Sequence, residues 1–267
     1  MPRSRAIQLL SILEFELSRH IVRRRIYFMA VVLALIIALP ITVKYVLNVP
    51  NPDSPKEFLE NELGSISILI VLSATFFAGD ALASEYEKKT GYVLFPNPVR
   101  REIIYAGKFL ASFLISMGVI SIYYFVVGME TYHYYGKIPH EFWLSFAFST
   151  LYTLSVVGLA YLYSSILSSA MSSTLLTFFT LFMILPAISS ITMLSGVEPW
   201  FILTYCGDII TLVFNPPDKR VEKISVRGFT FYVFYPDINV SCMVMLAYAI
   251  VTILSSLRIF KHRELKE

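Results

Sequence analysis

Residues 26–46 read IYFMAVVLALIIALPITVKYV, an apolar run broken by one charge, Lys44. A run of roughly twenty such residues can cross a bilayer as a helix, which satisfies its own backbone hydrogen bonds where no water is present. Five further runs follow, at about 65–83, 103–129, 142–163, 174–194 and 238–257. The chain has 267 residues, 56% of them hydrophobic, and a mean hydropathy of +0.66. A soluble domain needs charge on about a quarter of its residues, so this composition excludes one. The expected fold class is an all-α membrane protein with six transmembrane helices, in a single transmembrane domain over 26–260.

Residues 1–25 place Ala6, Leu9, Leu10, Leu13, Leu17 and Ile21 at helical spacing, with Arg3, Arg5, Glu14, Arg19, His20 and Arg23 to Arg25 mostly on other faces. This pattern predicts an amphipathic helix lying in the membrane surface. Pro40 allows a bend in the first span, and Pro186 predicts a kink in the fifth. Asn48 to Gly64 reads as a polar loop, Glu130 to Glu141 as an aromatic loop, and the uncharged Ser164 to Ser173 as a tight buried turn whose small residues let backbones approach. With residues 261–267 as a tail, fifteen of the twenty-two Lys and Arg fall on the side of both termini, which the positive-inside rule makes cytosolic. Pro199 to Phe214 is apolar but short for a crossing and contains Asp208. It reads as short re-entrant or surface helices on the outer side, between spans five and six.

The segment 84–102 between spans two and three is unlike a simple connector. Ser84 and Glu87 fit a capping box, and Asn97-Pro98 fits a second helix start. Lys88, Lys89, Arg100, Arg101 and Lys108 crowd the stretch, and Tyr92 to Phe95 give it an apolar edge. The order Glu85, Glu87, Lys88, Thr90-Gly91, Leu94, Pro98, Arg101 and Gly107-Lys108 resembles the membrane subunits of the ABC-2 type permease family, the type V exporter-like ABC transporters. Arg100 departs from the small hydroxyl residue often found two places after the Pro in that family.

The resemblance implies an N-terminal elbow helix at 1–25 and a cytoplasmic coupling helix in 84–102. It also implies that these residues couple the chain to a separate ATP-binding subunit, present in two copies. The second membrane half would be another copy of the chain or a similar permease. The permease would sit in the plasma membrane as a multi-pass protein in contact with lipid and would carry an apolar or amphipathic substrate outward. An anchor or sensor that recruits a cytosolic partner is the alternative.

No Gly-x-x-x-x-Gly-Lys-Ser/Thr cradle, His-Glu-x-x-His pair or Gly-x-Ser-x-Gly elbow occurs in the chain. The expectation is therefore a non-enzyme with no cofactor, metal or catalytic residue of its own and no nucleic-acid partner, ATP and Mg belonging to the partner subunit. No cleavable signal peptide is expected. Asp80, near the inner end of span two, is expected to pair with Lys88 or Lys89. Cys206 and Cys242 are expected to be packing residues.

Overall fold

The computed structural model describes residues 5–22, 24–87, 100–217, 219–226 and 229–263. Helix α1 (Arg5–Val22) leads into α2 (Arg24–Leu47), the first of six helical segments long and apolar enough to cross a membrane. The second, Pro55–Glu87, comprises α3 (Pro55–Glu62), a 3-10 turn, α4 (Ile66–Ala78) and, after a break, α5 (Ala83–Glu87). The third and fourth are α6 (Arg101–Tyr135) and α7 (Glu141–Ile166). The fifth joins α8 (Ala170–Phe179), a π turn (Thr180–Ile184) and α9 (Leu185–Leu194). Short helices α10 (Leu203–Gly207) and α11 (Ile209–Leu212) and a hairpin, β1 (Val221–Val226) with β2 (Phe229–Phe234), precede the sixth, α12 (Ile238–His262). The six expected spans are present.

Helix α7 is the axis of the bundle, packed most extensively on α12 and also on α4. At Gly158 a side chain is excluded, since a Cβ there would lie 2.4 Å from Thr252 Oγ1 on α12. Buried hydroxyls link the helices elsewhere. Tyr124 OH on α6 is 2.7 Å from both Ser145 and Ser149 Oγ on α7, and Ser145 Oγ donates to the Ile210 carbonyl at 2.6 Å, fixing α11 to the bundle. Each pairing keeps a buried polar atom satisfied in apolar surroundings.

Both described chain ends lie at one end of the bundle, here termed the terminal face. Arg101, opening α6, donates to the carbonyls of Lys261 and Arg263 at 2.9 and 3.3 Å. Helix α2 is peripheral, with Met29 and Leu33 its buried residues. Two ion pairs hold it to the second span. Arg25 meets Asp80 at 2.7 Å on the terminal face, and Lys44 meets Glu62 at the opposite one.

Several expectations are corrected. The loop over Asn48 to Gly64 contains α3, because Ser54 Oγ accepts the Lys56 amide and Pro55 occupies the first helical position, so Phe58 and Leu59 can be buried. The third span runs on to Tyr135 and ends at Gly136, whose φ of +66° terminates the helix, so the aromatic loop shrinks to 136–140. At Pro186 the missing amide coincides with a π turn just upstream rather than a bend alone. The hairpin 221–234 was not anticipated, and it qualifies the all-α class without adding a sheet core. Residues 199–214, by contrast, agree with the expectation of short helices rather than a crossing one: they form α10 and α11, with Ile202, Cys206, Ile209 and Phe214 buried. In the serine turn Ser164, Ser165 and Ser173 are buried, while Ser168 and Ser172 are exposed.

Candidate functional site

Two of the residues singled out in and beside 84–102, Glu85 and Lys108, meet in a charged cluster on the terminal face. Of the nine named for coupling, Lys88, Thr90, Gly91, Leu94 and Pro98 lie outside the described residues, as do Lys89 and Asn97, whereas Glu85, Glu87, Arg101 and Lys108 are described. Helix α1 has two different faces. Ile7, Leu10, Phe15 and Ile21 are exposed, and Glu16 and His20 are buried on the side that meets α6. Contact is close because Gly107 has no side chain: a Cβ there would lie 2.5 Å from Ile12 Cγ2.

One residue on, Lys108 is 3% exposed and places Nζ 2.6 Å from Glu16 Oε1 and 2.8 Å from Glu85 Oε1. Arg19 adds Nη1 at 3.1 Å from the same Glu85 oxygen and 3.4 Å from Glu16 Oε2. Two cations thus meet two carboxylates. A neutral, mutually paired set is the arrangement in which buried charges can persist, since removing one partner leaves another charge stranded. Three separate parts of the chain, α1, α5 and α6, are locked together by it.

A second set of bonds holds the other flank of α5. Ser164 Oγ, at the end of α7, accepts the Leu82 and Ala83 amides at 2.9 and 3.0 Å, which supplies the start of α5 with acceptors from a distant residue. Ser173 Oγ donates to the Gly79 carbonyl. Glu87 Oε2 accepts the Ala170 amide at 2.6 Å, so a carboxylate caps the first turn of α8. Arg263 donates to the Ser165 and Leu167 carbonyls at 2.6 and 3.1 Å, and its guanidinium stacks over Tyr86, 4.1 Å from the ring centroid. Lys261 and Glu102 form an exposed pair at 2.6 Å.

The profile described as ABC-2 family transporter protein matches residues 10–265. The chain belongs to that family. No curated protein matches it. As an ABC-2 family protein it is a multi-pass membrane protein with the role of an ABC transporter permease.

In this ABC-2 permease the site residues divide by environment. Glu85 and Lys108 are buried and face each other, while Glu87 is exposed and bonded to α8. Asp80 is paired with Arg25, because the start of α2 passes directly beside the end of α4, and the expected partners Lys88 and Lys89 lie outside the described residues; Arg25 Nη1 also donates to the Phe76 carbonyl at 3.2 Å. Sequence reasoning missed Glu16, Arg19, Arg25 and Ser164. For Glu16 a signal existed, since it lies with Leu9, Ile12, Leu13 and His20 on one helical face, where an unpaired acid would be costly. Ser164 carried none, because what it binds is backbone far away in sequence. Cys206 and Cys242 are both free thiols. Among the described residues no group of three or more His, Cys, Asp or Glu is placed to hold a metal ion.

Proposed function

We propose that the chain is the membrane half of an ATP-driven exporter, paired with a second copy or a similar permease and driven by two ATP-binding subunits at the terminal face. That face is cytosolic in this reading, with both termini inside the cell. The substrate is apolar or amphipathic and moves outward. ATP and Mg belong to the partner, and the permease supplies no catalytic group.

The observation that carries the reading is the double anchorage of residues 79–87. On one flank Glu85 is ion-paired to α1 and α6, and on the other Ser164, Ser173 and Glu87 bind this stretch to the α7–α8 turn. Force applied to the adjoining segment 88–99 therefore reaches spans two, three, four and five together. The fifth span is suited to respond, because its π turn and Pro186 interrupt the regular ladder halfway along.

Co-purification with the bound partner, followed by ATPase and transport assays, tests the reading. A P-loop protein whose ATPase activity depends on the permease is the expected result. Normal coupled transport in both Glu87→Ala and Arg101→Ala would count heavily against the assigned coupling residues, and recovery of a kinase or other regulator instead would replace the exporter with a sensor.

A further inference from the structure

Beside the fifth span lies a groove of about 350 Å³ between α4, α7, the π turn with α9, and α10. Its wall includes Ile68 and Phe182, both exposed apolar side chains, and its rim includes Ser190, Thr204, Tyr205 and Asp208. Asp208 opens to the groove, with protein crowded on its inner side. Neighbouring carboxylates are matched: Glu198 and Asp237 both pair with Arg220 at 3.3 Å. Among the described residues no basic side chain pairs with Asp208.

The hydroxyls around it bias the groove further toward a positively charged ligand. Ser190 Oγ gives its proton to the Pro186 carbonyl at 2.9 Å, and Tyr205 OH gives its own to Glu198 at 3.2 Å. Both protons are committed within the protein, so what these groups still offer is acceptor capacity. Thr204 Oγ1 is buried without a partner. A carboxylate near the membrane with no internal counter-charge marks a site whose ligand supplies the charge, and the apolar wall beside it fits a hydrocarbon body.

We infer that this groove binds a cationic amphipath, its positive head against the Asp208 carboxylate and its apolar body along Ile68 and Phe182. This rests on the transport reading above and narrows it, from any apolar or amphipathic substrate to a positively charged one.

The test uses the purified full-length chain in lipid nanodiscs with radiolabelled tetraphenylphosphonium as the cation and tetraphenylborate as an anion of the same shape. Saturable phosphonium binding is expected, weakened about tenfold or more in Asp208→Asn, since tenfold is the scale of one modest interaction, and retained in Asp208→Glu; borate binding should not respond to either change. Unfolding temperatures of the variants distinguish a lost site from a lost fold, and the glutamate variant keeps the test decisive if the asparagine variant is unstable.

Equal binding of both ions, or phosphonium binding unaffected by Asp208→Asn, overturns the inference. So does dissociation of a dimer in Asp208→Asn without a change in phosphonium binding, which would assign the carboxylate to a basic side chain of a second copy. Nanodiscs holding the chain together with its co-purified ATP-binding partner report separately on the transport reading. ATPase coupling without phosphonium binding removes the ligand class alone, whereas Asp208-dependent binding without any coupled ATPase removes the exporter and leaves the site.

Discussion

Lys108 and Glu85 meet at 2.8 Å with both side chains more than nine-tenths covered, although the sequence around them reads as a charged connector. Glu16 completes the contact from α1. Lys108→Met should therefore leave two buried carboxylates to share Arg19 alone and destabilise the chain by about 3–5 kcal/mol, measured as unfolding in detergent. The double change Glu16→Gln, Lys108→Met should recover much of that loss, because it leaves Arg19 and Glu85 as a matched pair. A wild-type unfolding curve for Lys108→Met would show that the cluster does not hold α1.

Gly107→Leu should push α1 off α6, since even one carbon at this position meets Ile12. Overpacking of this kind costs about 1–3 kcal/mol. Limited proteolysis within 5–22 is the direct measurement, and cleavage should be faster in the variant than in the parent.

Glu87→Ala removes the acceptor for the Ala170 amide on an exposed surface. The expected loss of stability is small, about 1 kcal/mol as for an ordinary helix cap, and insertion should be normal. Coupled ATPase activity of the purified complex should fall by a larger proportion than stability does.

Burial pushes the Cys206 thiol up to about 11. At pH 8 only about one molecule in a thousand would carry the reactive thiolate there. Iodoacetamide at pH 8 should leave Cys206 unmodified in the folded protein and modify it in SDS, as read by peptide mass spectrometry. Rapid native labelling would contradict the buried setting.

Burial also raises the Asp208 carboxyl to about 7. The titratable groups facing it are the Tyr152 phenol from α7 and, from its own short helix, the Cys206 thiol. Above pH 7 the free site is a carboxylate ready for a cation; below it a proton competes for the same oxygen. Tetraphenylphosphonium affinity should be near its maximum at pH 8.5 and fall about tenfold per pH unit below 7. A flat profile from pH 5.5 to 8.5 would exclude carboxylate control.

The six spans were legible because hydrocarbon imposes one strong requirement, a continuous apolar helix of sufficient length, and residues 26–46 or 238–257 meet it visibly. Helix α3 was hidden by its prolines. Pro50, Pro52 and Pro55 together read as loop, yet Pro55 sits where a helix accepts proline, and Ser54 before it was the overlooked cap. The hairpin lacked a turn signal strong enough to stand out beside so many apolar helices. At the site, Glu85 and Lys108 could be singled out in the sequence but not their burial, which depends on Glu16 arriving from another helix. The Arg25–Asp80 pair was missed for a related reason: local spacing pointed to Lys88 and Lys89, and Arg25 comes from the docking of α2, distant in sequence.

The two ion pairs that fasten α2 give the molecule an internal gauge of membrane thickness. At 1.5 Å per residue, Arg25 and Lys44 stand about 28 Å apart along one helix, and Glu62 and Asp80 about 27 Å apart along its neighbour. A bilayer's oily interior is about 30 Å deep. The spacing of the clasps thus matches the depth of that interior, and a markedly thicker membrane would draw both into oil. Lengthening the lipid chains should therefore loosen the mooring of this peripheral helix.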